Sequence, residues 1–84
     1  MLEVVGKHLV VDLSNEYDYF EQRKWMIIDE YLQNLLKLDV DEVIEDEEGC
    51  RFKIRLRDRV QALMFKRLLD VEFEKFDREN SDYE

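Results

Sequence analysis

No stretch constrains the fold more than residues 50–57. Cys50, Phe52, Ile54 and Leu56 alternate with Arg51, Lys53, Arg55 and Arg57. A period of two sets four apolar side chains on one face and four bases on the other, as a half-buried β-strand requires. Glu47-Glu48-Gly49 just before it reads as a three-residue hairpin loop with Gly49 in the left-handed region. Residues 40–46 then form the partner strand. In that register Asp46 opposes Cys50, while Ile44 meets Phe52 and Val40 meets Leu56 on the core face. Glu45 meets Arg51 and Asp41 meets Arg55 on the solvent face, where opposite charges attract.

The remaining elements follow from periodicity and caps. Leu9, Val11 and Leu13 alternate with His8, Val10 and Asp12, a strand that Gly6-Lys7 bends into two pieces or bulges. Ser14 or Asn15 offers a helix N-cap, with Glu16 and Asp18 suited to the positive end of the helix dipole. Phe20, Ile27, Ile28, Tyr31, Leu32 and Leu35 recur at helical spacing, predicting a helix over about 15–37 whose length invites a break. Asp58-Arg59-Val60-Gln61 has the spacing of a capping box. The helix it opens carries one broad apolar stripe of Val60, Met64, Phe65, Leu68, Leu69, Phe73 and Phe76. Residues 77–84 are polar and are expected to fray. The order β-α-β-β-α predicts a single α+β domain over residues 1–84, a two-layer sandwich with both helices on one sheet face.

A chain of 84 residues has a thin core, and Cys50, its only cysteine, cannot form an internal disulfide. A lone thiol suits a reducing compartment, so a cytoplasmic protein is expected, with Cys50 as a small buried hydrophobe. The apolar run Leu9–Val11 is too short for a signal or membrane helix. Self-association would enlarge the core. Trp25, Tyr17, Tyr19 and Met26 exceed what one helix face needs, and a homodimer is expected on that ground.

The formal charge of −9 disfavours general binding to nucleic acid or anionic membrane. It is unevenly spread. Residues 50–67 hold seven bases and one acid, a surplus of +6, leaving −15 on the rest. Residues 39–49 hold seven acids and no base: Asp39, Asp41, Glu42, Glu45, Asp46, Glu47 and Glu48.

Catalytic chemistry has little to stand on. His8 is the only histidine, and Ser14 lies six residues away at a predicted cap, so no nucleophile is paired with a base. The carboxylates fall in loops and on strand faces rather than in a pocket that would separate their pKa values. Asp39-Val40-Asp41 opens like a calcium loop, but Ile44 stands where the loop needs glycine. One histidine and one cysteine are too few for zinc. No glycine-rich phosphate loop is present. The chain is read as a non-enzyme without cofactor or metal.

Phe52-Lys53-Ile54-Arg55-Leu56-Arg57-Asp58-Arg59-Val60-Gln61-Ala62-Leu63-Met64-Phe65-Lys66 resembles a pattern in small early proteins of T-even-type bacteriophages. There a strand and polar turn lead into a helix bearing alanine and then a hydrophobe-Phe-Lys run. Many of those proteins inhibit host enzymes, some as DNA-mimicking anti-restriction proteins. The resemblance implies that class, acting in the host cytoplasm, and carries over no individual residue. Gly6-Lys7-His8-Leu9-Val10-Val11-Asp12-Leu13 is similar to the opening strand of bacterial S-adenosylmethionine decarboxylases. The serine-histidine context which that family needs for its pyruvoyl group is absent, and the activity is not implied.

Two functional expectations follow. In the first, the seven acids of 39–48 imitate DNA phosphates and occupy the cationic nucleic-acid-binding site of a host protein, such as a restriction or defence enzyme. In the second, the chain is an RNA-binding regulator, with Arg51, Lys53, Arg55 and Arg57 on phosphates and Phe52 stacking a base.

Overall fold

Two antiparallel hairpins build one four-stranded sheet in a computed structural model that describes residues 1–81. The first hairpin pairs β1 (Leu2–Val5) with β2 (His8–Asp12), and the second pairs β3 (Ile44–Glu48) with β4 (Arg51–Arg55). Joining β2 to β4 sets the order β1-β2-β4-β3, with β1 and β3 as edges. Both turns are two residues long and begin with a glycine of positive φ, Gly6 (61°) and Gly49 (60°). Glycine at the first turn position is the type II′ signature, whose twist matches that of paired strands.

Between the hairpins run α1 (Asp18–Glu30), a π-helical turn (Tyr31–Leu35) and the single turn α2 (Val40–Val43). The long helix α3 (Arg59–Glu79) follows β4. The α+β class holds, and the order gains one strand because Gly6-Lys7 makes a full hairpin. The core lies between one sheet face and the helices. Leu9, Val11, Phe52 and Ile54 meet Ile28 and Leu32 from the first helical segment and Ala62, Phe65, Leu69 and Phe73 from α3. Trp25 closes one margin, its ring edge-on to Phe52 at 4.9 Å between centroids.

One charged side chain joins that core. Lys24 is 3% exposed; its Nζ lies 2.7 Å from Glu16 and 2.9 Å from Asp77, and 5.2 Å from the centre of the Phe73 ring. Two carboxylates and an aromatic face replace the water lost by the ammonium group. The contact ties α1 to the last turns of α3, so residues 77–79 are helical rather than frayed. Residues 82–84 of the expected tail lie outside the described residues.

Several local expectations are corrected. The loop after β3 is Gly49-Cys50, not Glu47-Glu48-Gly49, and Cys50 sits in the turn, half-buried. Asp46 and Glu47 together oppose Phe52 between the pairs Glu45↔Lys53 and Glu48↔Arg51, which is a β-bulge. Asp46 takes φ +49°, a region aspartate tolerates better than most residues. The pairing is thereby displaced by two residues, and Ile44 opposes Ile54 while Glu45 opposes Lys53. A shift of two keeps Ile44 on the core face and Glu45 on the solvent face, whereas a shift of one would have inverted them; Asp46, in the bulge, turns outward to Lys53 instead of facing the core.

Residues 40–43 are helical, not extended, because the Asp39 carboxylate accepts a hydrogen bond from the Asp41 amide (3.0 Å) and caps the turn. Val40 and Asp41 therefore have no strand partners. Ser14 and Asn15 do not cap α1. Ser14 gives both its amide and its hydroxyl to Asp12 (2.9 and 2.6 Å), an Asx-type turn, and Tyr17 stands at the cap position. The π turn spends one residue more than an α turn, leaving Leu32 buried and Leu35 exposed. Lys37, at φ +57°, ends the segment in the left-handed region while the Leu38 amide donates to Leu32.

Asp58 caps α3 as expected, but the return bond of the capping box goes to the residue before the cap rather than to the Asp58 amide. The Asp58 carboxylate accepts from the Gln61 amide (2.8 Å), and the Gln61 side chain accepts from the Arg57 amide (2.8 Å). The stripe beyond it divides. Phe65, Leu69, Phe73 and Phe76 are buried, but Val60, Met64 and Leu68 are exposed. A stripe that wide exceeds the arc one helix turns toward a sheet.

Candidate partner-binding face

The sheet surface away from the helices is a charge mosaic. Alternation brings Arg51, Lys53 and Arg55 to this face along β4, with Glu3, His8, Val10 and Asp12 on one side and Glu45 and Glu48 on the other. Arg55 meets the Glu45 carboxylate at 2.8 Å and also donates to the Glu42 carbonyl (3.1 Å). His8 Nε2 is 3.0 Å from the second Glu45 oxygen, and Lys53 is 3.3 Å from Asp46. Val10 is buried although it faces outward, at the base of a depression bounded by Asp46, Glu48, Arg51 and Lys53. Long charged side chains commonly cover an apolar neighbour with their stems in this way.

The seven acids of 39–48 thus fall into two groups. Asp39 is occupied as a cap, Glu45 holds Arg55 and His8, and Asp46 holds Lys53. Asp41, Glu42, Glu47 and Glu48 are exposed and form no ion pair among the described residues. Two expected pairings change here: Asp46, read opposite Cys50, pairs with Lys53, and Asp41 does not pair with Arg55. The four unpaired carboxylates run from the α2 turn to the tip of the β3–β4 hairpin, along the outer edge of the sheet.

The residues considered for chemistry are dispersed or engaged. A hydrogen bond with Glu21 pushes the Cys50 thiol up, with burial adding to it, so the reactive thiolate is disfavoured. Ser14 holds the Asp12 carboxyl below its usual range through side-chain and backbone hydrogen bonds. Among the described residues no three His, Cys, Asp or Glu side chains are grouped as metal ligands would be. No helix among them is long and apolar enough to cross a membrane. Phe52 lies in the core, 6% exposed, and cannot offer its ring to a base.

Of the aromatic excess expected at a subunit contact, Trp25 packs on Phe52 and Tyr19 lies against Phe20 and Phe76. Tyr17 and Met26 remain largely exposed. Sequence reasoning missed the outward apolar row on α3, although the excess width of the stripe was the signal. Comparison of the chain with protein-family models, with characterised proteins and with solved structures finds no significant match.

Proposed function

We propose that the chain is a non-enzymatic interaction protein of the cytoplasm whose acidic β3 edge occupies a cationic nucleic-acid-binding site on another protein. The observation that carries the reading is the set Asp41, Glu42, Glu47 and Glu48, exposed along one edge and without ion pairs among the described residues. Unpaired like charges repel, and a cationic partner relieves that repulsion. Their density along one edge supports a mimic of nucleic acid, which also presents closely spaced negative charge. A restriction or defence enzyme of a phage host has a site of this kind. Steering by the acidic edge would raise the association rate and make it fall with salt.

The RNA-binding reading receives less support. Lys53 and Arg55 are engaged by Asp46 and Glu45, and Arg51 lies between Asp12 and Glu48 in the sheet. The test of the proposal is affinity capture of a nucleic-acid-binding protein from bacterial lysate, followed by challenge with duplex DNA. Release of the captured protein by duplex DNA is the expected result. Capture that duplex DNA leaves intact would overturn the mimic. A salt-sensitive gel shift of RNA by the chain itself, lost when Arg51, Lys53, Arg55 and Arg57 are neutralised, would establish the second reading in its place.

A further inference from the structure

Helix α3 is apolar on two sides. Phe65, Leu69, Phe73 and Phe76 face the core, while Val60, Leu63, Met64, Leu68 and Val71 are between 40 and 65% exposed. Val60, Met64 and Val71 fall on the side of the helix opposite the buried row, spaced by four and seven residues as along a helix–helix seam. Met64, Leu68 and Val71 line one shallow apolar depression, and Leu68 with Leu35 and Tyr31 lines the next. Leu68 belongs to both, so the patch is continuous from α3 to the π turn. Contiguous exposed apolar surface of this kind marks an interaction site.

The charge along the helix identifies the occupant. Residues 59–67 carry Arg59, Lys66 and Arg67 with no acid, whereas 68–79 carry five acids and two bases. The helix is therefore +3 in one half and −3 in the other. Lys66 and Asp70 satisfy each other, Asp77 holds Lys24, and Tyr31 is bonded to Glu72. Arg59 and Arg67 in one half and Glu74 and Glu79 in the other have no ion pair among the described residues. An antiparallel copy of the same helix complements this pattern at both ends. A uniformly charged partner would be repelled by one half.

We infer that two copies of the chain associate through the outer face of α3, antiparallel across a two-fold axis near Arg67 and Leu68. That axis sets Met64 of each copy against Val71 of the other and lays each basic half beside an acidic half. The interface is isologous, as a closed dimer requires. It is separate from the acidic β3 edge and stands whether or not that edge binds a partner.

Sedimentation equilibrium at micromolar concentration tests the inference. The parent chain is expected to sediment as a dimer. Met64→Lys/Val71→Lys places like charges across the seam at exposed positions, and is expected to raise the dissociation constant roughly tenfold or more. Circular dichroism verifies that the helices of this variant are retained. Arg59→Glu/Arg67→Glu makes both halves acidic and Glu74→Lys/Glu79→Lys makes both basic, so each is expected to dimerise poorly alone. Mixed in equal amounts, the two variants are expected to form a heterodimer. A strictly monomeric parent chain would overturn the proposal, as would a dimer that the seam substitutions leave unweakened. Charge variants that each self-associate as tightly as the parent would overturn the antiparallel arrangement.

Discussion

Strands β1 and β3 close the two edges of one sheet and face the same hazard, an unpaired backbone open to a further strand. They meet it differently. β1 pairs with β2 in unbroken register, turns Leu2 and Val4 toward the core and packs against α3. It carries one acid, Glu3. β3 turns only Ile44 inward, breaks its register at Asp46 and carries four acids in its five residues. Burial holds one edge; hydrogen bonding, ion pairs and a bulge hold the other. The bulge and the ion pairs of Glu45 and Asp46 already guard β3 against edge pairing. Asp41, Glu42, Glu47 and Glu48 add charge beyond that guard, which is the reason to assign them a partner.

The contrast makes unequal predictions. The largest effect belongs to the buried side, where Phe65 is 1% exposed beneath the sheet. Phe65→Ala is expected to cost about 3–5 kcal/mol in urea unfolding, a large share of the stability of a chain this short. A loss under about 1 kcal/mol would mean that α3 does not hold this half by packing.

Next come the paired turn glycines. No atom lies within 4 Å of a Cβ placed at Gly6 or Gly49, so an alanine at either meets only backbone strain. Each substitution is expected to cost about 1–2 kcal/mol, and equal costs would show the two turns to be equivalent. A distinctly smaller cost for Gly49→Ala would sharpen the contrast, because the bulged hairpin could then readjust its register where the regular one cannot.

The third effect is a pH dependence. The backbone hydrogen bond from Gln61 holds the Asp58 carboxyl below its usual range. A carboxyl whose pKa is depressed on folding stabilises the fold above the unfolded value, about 4. That contribution is lost as pH falls through the folded value. Urea midpoints are therefore expected to fall between about pH 5 and pH 2. Asp58→Asn, which still caps but does not titrate, should show a shallower fall. An unchanged slope in this variant would remove Asp58 from the account.

How far the sequence revealed these two sides depended on which quantity survives a small error. The faces of Ile44, Phe52 and Ile54 survived a two-residue displacement, because alternation has a period of two, and all three are inward as read. Cross-strand partners did not survive it, and Glu45 is found with Arg55 and His8 rather than Arg51. Asp46 at positive φ was the hidden step, since aspartate in a strand gives no outward sign of a bulge. The Asp39 cap was visible in principle, with Asp41 and Glu42 following it as in a first helical turn, but hydrophobic spacing at Val40 favoured a strand. The acidic character of the candidate edge was fully apparent. Which of its acids are engaged was not, because that depends on the register.

The smallest effect on stability is expected at that edge. Glu42→Gln, Glu47→Gln and Glu48→Gln alter exposed side chains that have no ion pair among the described residues, and each should change stability by no more than about 0.5 kcal/mol. The decisive measurement is the association rate of this triple variant with the captured partner across a range of salt concentrations. If the β3 edge steers the chain into a cationic site, the variant will associate more slowly and its rate will depend less steeply on salt, with the fold intact. An association rate and salt slope equal to those of the parent chain would contradict the claim, leaving these acids as solvated charge on a guarded edge.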